Sequence, residues 1–399
     1  VTAGIMFYYS VVAGWCIRYL FLASTGHLLK VSDYTANWNN FIQSGWQPIL
    51  FHIIAISVGA CVIRRGVVHG IEKVNRFLIP VLVILIILST IRAVTLPNAV
   101  QGLAFLFSPQ LDSLLDYRVW LQALTQNAWD TGAGWGLILT YAAYMRKEDG
   151  VVRNAVLTGV GNNVVSLLAG IMIFGIAFAV LGPQMSQPEV LDVMRTSGER
   201  GTGLTFIWMP ALFAEMPLGA PLAVLFFLAL TFAALSSLIS MIELSTRVVV
   251  DLGAPRTKAV VGVGVVAFLV GVPSALSDRF FGNQDFVWGV ALMLSGAFIA
   301  YAVIRYGADR LREEIATETD WALPRLWSTW MKVAIPFQAV VLLGWWLYLA
   351  TTTDFTSRWW DPLEPYSAMS CLVQWGLALG AFFALNSWMV RRLVPSDPS

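Results

Sequence analysis

Apolar residues in this chain occur in ten long runs that are separated by shorter polar connections. A hydrocarbon core about 30 Å thick needs roughly 20 apolar residues in a helix, and each run approaches or exceeds that length. No segment shows the ten-residue alternating pattern of a membrane β-barrel, so we predict an all-α membrane protein. The ten predicted membrane helices lie near residues 3–23, 47–63, 77–95, 118–144, 155–182, 217–250, 257–275, 284–305, 329–351 and 366–390.

The fourth run is interrupted at its centre. Between Asn127 and Gly136 it contains three glycines and the ionisable Asp130. A carboxylate at that depth costs a few kcal/mol unless something compensates it. Freed backbone groups are tolerated there only where they are buried in protein or line a cavity. The pattern is typical of the discontinuous helices of secondary transporters, which bind cations and a polar solute at the break.

Composition supports a membrane protein and excludes several other classes. Hydrophobic residues make up 57% of the 399 and charged residues 12%, and mean hydropathy is +0.70, far outside the range of soluble domains. The net charge of +1, without a basic tract, gives no reason to expect nucleic acid as a partner. Three cysteines without CxxC spacing are predicted to be packed free thiols: Cys16, Cys61 and Cys371. Three histidines are too scattered to form a metal site: His27, His52 and His69.

Basic residues predict the orientation. Seventeen of the 25 fall on alternate connections: Arg64, Arg65, Lys73, Arg76, Arg146, Lys147, Arg153, Arg247, Arg256, Lys258, Arg305, Arg310, Arg312, Arg325, Lys332, Arg391 and Arg392. The positive-inside rule makes these connections cytoplasmic, with the C-terminus on that side of an inner (plasma) membrane. The chain begins with Val1 inside a hydrophobic span, without a signal peptide, and we expect sequence to precede it.

Several motifs, in order along the chain, resemble the neurotransmitter:sodium symporters, which have the LeuT-type fold, and specifically a bacterial member. The most specific segments are Phe7-Tyr-Tyr9 with Trp15, Arg64-Arg-Gly66, Gly70-Ile-Glu-Lys73, Val119 to Gly136, Thr140 to Lys147, Phe232 to Ser237, Gln284-Asp-Phe286 and Tyr306-Gly-Ala-Asp309. The resemblance implies that Val1 begins the family's third helix, so that the ten helices are helices three to twelve and the first two are missing.

It also implies one transmembrane domain, 1–399, built around an inverted repeat. Residues 1–95 would be the remainder of the first repeat, 118–306 the second repeat, and 329–392 two additional helices.

The resemblance assigns a substrate pocket. It places the Tyr9 hydroxyl on the substrate's carboxylate, and it places Trp129 and Trp135 where relatives usually have phenylalanines, one as a lid and one as a side wall. The remaining pocket residues that it implies are Ile5, Gly132, Ser237 and Met241. Tyrosine and tryptophan in membrane helices otherwise serve packing or interface anchoring.

Two sodium sites follow from the same resemblance. Ala233, Ser236 and Ser237 match the second site, with one carbonyl and two hydroxyls as hard oxygen ligands. Asp130 and Asn162 match the first site, and the adjacent Asn163 leaves a one-residue shift open. The alternative for the serines is a hydrogen bond to their own helix, and for the asparagine a polar contact between helices.

Further residues match an anion site and the gates of the family. Gln126 and Ser166 match chloride-site residues of animal members. Asp285 and Asp251 match the acidic partners of the outer and inner gates, with Tyr144 and Glu243 as accessory residues of the inner gate. An aspartate at a helix end is otherwise ordinary.

These assignments predict a sodium-coupled symporter, not an enzyme, for a small amino-acid-like solute. Asp130 would replace chloride. Sodium, the substrate and the lipid bilayer are the expected partners, with no organic cofactor. A bundle would rock against a scaffold formed by the third, fourth, eighth and ninth helices. Two alternatives remain open: a non-transporting LeuT-like subunit of a larger complex, and an amine or betaine carrier. A homodimer or an assembly with other membrane chains is also left open.

Overall fold

A computed structural model of the protein describes residues 1–66, 72–108, 110–142, 145, 149–195, 203–316, 320–352, 356 and 358–393. These residues form helices and turns, without a strand. Nine helices among them are long and apolar enough to cross a membrane. The tenth predicted crossing, the interrupted one, consists of two shorter helices in succession, so the all-α membrane fold is confirmed.

The described part of the chain contains seventeen α-helices: α1 Thr2–Ser24, α2 Tyr34–Gln43, α3 Trp46–Arg64, α4 Lys73–Val94, α5 Ala99–Phe107, α6 Tyr117–Asp130, α7 Leu137–Ala142, α8 Val151–Leu181, α9 Gln187–Arg195, α10 Met209–Glu215, α11 Gly219–Asp251, α12 Arg256–Leu276, α13 Asp278–Tyr306, α14 Ala308–Glu314, α15 Arg325–Thr329, α16 Ile335–Leu349 and α17 Ala368–Leu393. Short 3-10 helices lie at Leu28–Lys30 and Leu111–Leu115, and π-helical segments at Leu204–Trp208 and Trp330–Ala334. The second π-helical segment joins α15 to α16 in one crossing.

Helix α1 lies at the centre of the bundle. It is apolar on all sides, as expected for a buried helix, and it contacts α3, α11, α12 and α13. Its glycines allow close approach: a Cβ on Gly14 would lie 2.6 Å from the Phe51 carbonyl carbon, and one on Gly4 2.5 Å from the Trp288 ring. Small residues at such contacts are typical of packed membrane helices.

The four helices predicted to form the scaffold are α1, α3, α11 and α12, and each contacts the other three. An ion pair with a buried carboxylate joins three of them. Arg256 at the start of α12 donates from Nη1 and Nη2 to the two carboxylate oxygens of Glu243 on α11, at 3.0 and 2.7 Å. Its Nη2 also donates to the Ile63 carbonyl of α3 at 3.1 Å. A two-pronged pair of this kind fixes orientation as well as distance.

Helices α4 and α5 pack against α8, and α16 and α17 pack against α13. Polar side chains join α13 to α17. Asn283 donates to the Ser370 hydroxyl at 2.6 Å, and Gln284 donates to the Gln374 side-chain oxygen at 3.1 Å. These hydrogen bonds satisfy side chains that would otherwise be costly inside a membrane.

Of the three cysteines predicted to be free thiols, Cys16 and Cys371 are buried and Cys61 is exposed, and none forms a disulfide with another. His27 and His52 lie apart in the fold, and His69 lies outside the described residues.

Candidate functional site

The break between α6 and α7 follows from the glycines. Helix α6 ends at Asp130, and Gly132, Gly134 and Gly136 have φ of +77°, +82° and +75°. A side chain makes such angles unfavourable. Gly134 has a second reason to be glycine, because an added Cβ would lie 2.4 Å from the Leu292 carbonyl oxygen of α13. The chain therefore leaves the helix here and presses its backbone onto α13.

Hydroxyl groups of neighbouring helices reach the break. The Ser295 hydroxyl on α13 donates to the Gly134 carbonyl at 2.6 Å, and the Thr2 hydroxyl on α1 donates to the Trp135 carbonyl. On α7, the Tyr141 hydroxyl is hydrogen-bonded to the Ser240 hydroxyl of α11. Carbonyls that the broken helix leaves without a partner thus find one in the surrounding bundle.

Asp130 contacts α8. The Ser166 hydroxyl donates to its Oδ2 at 2.6 Å, a short, charge-assisted hydrogen bond. Asn162 lies four residues before Ser166 and hence on the same face of α8. Its Nδ2 is buried without a hydrogen-bond partner among the described residues, whereas Asn163 is exposed and donates to the Gly159 carbonyl of its own helix at 2.9 Å. The two amides therefore differ in their surroundings, and the assignment of Asn162 to the first sodium site stays a prediction.

The oxygens proposed for the second site lie together on α11. The Ser236 hydroxyl donates to the Ala233 carbonyl at 2.9 Å, and the Ser237 side chain interacts with the Tyr9 hydroxyl of α1. The Ser236 hydrogen bond to its own helix is common for serine in a membrane helix, and it is the alternative to a sodium-binding role. The donor set of one carbonyl and two hydroxyls fits a hard monovalent cation, and its role stays a prediction.

The two tryptophans meet at the break. The Trp129 and Trp135 rings form a T-shaped pair with centroids 5.2 Å apart, and Trp135 is only 8% exposed. Ile5 and Met241 are fully buried in the same apolar cluster as Trp135, and Trp129 packs against that cluster. These predicted pocket residues therefore belong to, or pack against, one apolar core.

Two cavities follow each other along α13. One, of about 290 Å³, lies at the Asp285–Met293 part of the helix, and its lining includes Gln126, Trp129 and Asp285. The other, of about 720 Å³, lies at the Ser295–Ile299 part and is lined by Trp135. Each residue of the tryptophan pair thus lines one of the two cavities.

Comparisons with known proteins support the resemblance. The sequence profile of the sodium:neurotransmitter symporter family matches residues 29–395. The chain belongs to the sodium:neurotransmitter symporter family. An uncharacterized sodium-dependent transporter of Methanocaldococcus jannaschii is 30% identical over 360 residues, which cover 84% of this chain and 70% of that protein. The uncharacterized sodium-dependent transporter YhdH of Bacillus subtilis is 31% identical over 312 residues, covering 74% of this chain and 65% of that protein.

A solved structure shares the fold of this chain. The crystal structure of MhsT in complex with L-phenylalanine superposes with a TM-score of 0.73 at 30% identity, covering 86% of this chain and 78% of the other. The LeuT-type fold is therefore shown for this chain, and the curated relatives above are longer than the part that matches.

The predicted gate residues differ in their surroundings. Asp285 is exposed to the smaller cavity, and the Tyr8 hydroxyl approaches its carboxylate. Asp251, at the end of α11, pairs with Arg247 of its own helix at 2.9 Å. Glu243 pairs with Arg256, as described above, and Tyr144 lies outside the described residues.

The two predicted anion-site residues also have different neighbours. Gln126 lines the smaller cavity one turn before Asp130, while Ser166 contacts Asp130 directly.

Sequence reasoning missed Thr2 and Ser295, the two hydroxyls that reach the break. Ser295 lies in the apolar run predicted at 284–305, and Thr2 lies at the start of the first run. A hydroxyl in a membrane helix usually bonds its own helix, so neither residue stood out. The available signal was their polarity within apolar runs, which is too common to single out a contact across the fold.

Proposed function

We propose that this family member is a sodium-coupled secondary active symporter for a small amino acid or amino-acid-like solute, and that it does not require chloride. The contact between Asp130 and Ser166, at 2.6 Å, carries the proposal. It brings a carboxylate against a residue that matches the family's anion site, on the face of α8 that also carries Asn162. A fixed negative charge there can do what a bound chloride does in other members.

The attraction between a sodium ion and a nearby carboxylate is large enough for this role. Two opposite unit charges about 4 Å apart, at an effective dielectric near 20, attract by about 4 kcal/mol. This attraction offsets much of the desolvation of a sodium ion and of the carboxylate. Coupling then follows because sodium and substrate bind neighbouring groups at the break, and each favours the same state of the bundle.

The substrate class follows from the tryptophans. Indoles at 129 and 135, with Ile5 and Met241 buried nearby, leave less room than phenylalanines would. We expect glycine, alanine or a compact amine to be the best substrate. MhsT was solved with L-phenylalanine, so the fold itself admits an aromatic amino acid, and the restriction here would come from these side chains. The amine alternative rests on the indole faces, which attract quaternary ammonium groups.

The orientation is part of the proposal. Basic connections predicted to be cytoplasmic meet at one end of the bundle, since Arg256 of α12 reaches the Ile63 carbonyl of α3 and Asp320 binds the start of α8. Connections predicted to be external meet elsewhere, where Arg279 pairs with Glu364 at 3.2 Å. This alternation supports a multi-pass protein of the inner membrane with a cytoplasmic C-terminus.

The experiment is a competition screen in proteoliposomes with an inward sodium gradient. We expect glycine, alanine or a compact amine to be taken up, and Trp135→Phe to admit larger amino acids because the phenyl ring is smaller. Wild-type protein for which aromatic amino acids compete best would contradict the pocket-size argument. Uptake without sodium would contradict the coupling, and no uptake of any solute would favour the non-transporting subunit.

A further inference from the structure

The break is attached to two different helices at two consecutive peptide groups. Ser295 of α13 donates to the Gly134 carbonyl at 2.6 Å, and Thr2 of α1 donates to the Trp135 carbonyl. Both bonds cross from one element to another. A carbonyl released from a helix inside a membrane needs a new partner, and here each partner is a side chain that a single substitution can remove.

Other hydroxyls in the same region bond differently. Ser245 lines the same cavity as Thr2 and Ser295, yet it donates to the Met241 carbonyl of its own helix at 3.0 Å. Ser240 donates to the Ser236 carbonyl at 2.9 Å in the same way. These own-helix bonds are the usual state of serine in a membrane helix. The bonds of Thr2 and Ser295 therefore reflect their placement opposite the break.

The attached segment lies between the two cavities. Trp135 lines the larger cavity, of about 720 Å³, while its T-shaped partner Trp129 lines the smaller. Gly134 is already pressed onto the Leu292 carbonyl, so the segment cannot move further toward α13. A movement that carries Gly134 and Trp135 away from α13 and α1 breaks both hydroxyl bonds.

We propose that Thr2 and Ser295 are positioning residues that hold Gly134 and Trp135 against α1 and α13, and that the break becomes free to move when these bonds are released. The role of this movement rests on the proposed transport function, whereas the two hydrogen bonds are independent of it. A mobile element of this kind needs two discrete arrangements that ligands can favour differently. Hydrogen bonds from hydroxyl groups can break and re-form, so they give a modest free-energy difference between the two arrangements.

The test is hydrogen–deuterium exchange of the backbone amides in residues 131–139, measured on the whole protein in nanodiscs. Loss of one neutral hydrogen bond is expected to raise exchange in this segment about five- to tenfold. The variants are Ser295→Ala and Thr2→Val, which remove the hydroxyl, and Ser295→Thr and Thr2→Ser, which keep it. Ser245→Ala is the matched control because it removes a hydroxyl from the same cavity wall.

We expect faster exchange in residues 131–139 for the two variants that lack the hydroxyl, near-wild-type exchange for the two that keep it, and no change for Ser245→Ala. Peptides of α3 and α12 should exchange as in the wild type, which separates a local release from general destabilisation. Unchanged exchange in Ser295→Ala, or equal acceleration in Ser245→Ala, would overturn the proposal. Because exchange is read without transport, a protein that shows the pattern but takes up nothing would contradict only the proposed function.

Discussion

At the scale of single residues, adjacent side chains of the same type have different surroundings. Asn162 and Asn163 differ by one position on α8, a rotation of about 100° around the helix. One amide has a buried nitrogen without a partner among the described residues, and the other is exposed and bonded to its own helix. The same periodicity puts Ser166, which contacts Asp130, on the face of Asn162.

The pair allows a controlled prediction. Asn162→Ala removes a neutral oxygen ligand from the first sodium site, and we expect the sodium concentration for half-maximal uptake to rise at least tenfold, or roughly 1.4 kcal/mol. Asn163→Ala should leave it within about twofold of the wild type. The measurement is initial uptake rate against sodium concentration, with surface expression matched. A larger effect of Asn163→Ala would shift the site by one residue and contradict the assignment.

At the scale of elements, the start of α8 is held by a loop distant in sequence. The Asp320 carboxylate accepts hydrogen bonds from the backbone N–H groups of Val152 at 2.7 Å and Arg153 at 3.0 Å. It also accepts one from Trp321 at 2.7 Å. Desolvation raises the pKa of this carboxyl, but the three hydrogen bonds outweigh it and hold the pKa below its usual value. The connection at 320 thereby caps the helix that carries Asn162 and Ser166.

Removing this cap should weaken the fold locally. We expect Asp320→Ala to lower the free energy of unfolding, as for other lost N-terminal caps, seen as a lower melting temperature in detergent. Glu313→Ala is the control. The Glu313 carboxylate pairs with Arg312 at 3.2 Å, and the Glu313 side chain is 74% exposed. Because folding lowers the pKa of Asp320, its contribution is present above about pH 4 and is lost as pH falls through the folded value. A melting temperature equal to that of Glu313→Ala would contradict the capping role.

The helices were predictable because apolar runs of membrane length are a strong signal, and the break was predictable because Asp130 and three glycines contradict a continuous helix. The sequence did not reveal which side chains support the break. The Ser295 and Thr2 bonds depend on how α13 and α1 pack against residues 134 and 135, and no local pattern encodes that packing. Asp320 was missed for the same reason, because its partners lie more than 160 residues away.

At the scale of the whole molecule, α1, α3, α11 and α12 pack against one another, and the broken crossing joins the bundle through the buried Trp135 and a few polar contacts. The Glu243–Arg256 pair joins α11, α12 and α3, while the break depends on hydroxyl bonds from α1 and α13. A transporter that works by rocking needs a stable scaffold and weaker, reversible contacts at the ligand-binding break. Movement is then largest where the ligands bind.

The central claim is that Asp130 supplies the negative charge that sodium coupling needs. The direct measurement is sodium-driven uptake in proteoliposomes with gluconate replacing chloride on both sides. We predict that wild-type uptake is unchanged without chloride, and that Asp130→Ser either loses sodium-driven uptake or regains it only with added chloride. Wild-type uptake that stops without chloride would contradict the account, because the carboxylate would then not be the substitute anion.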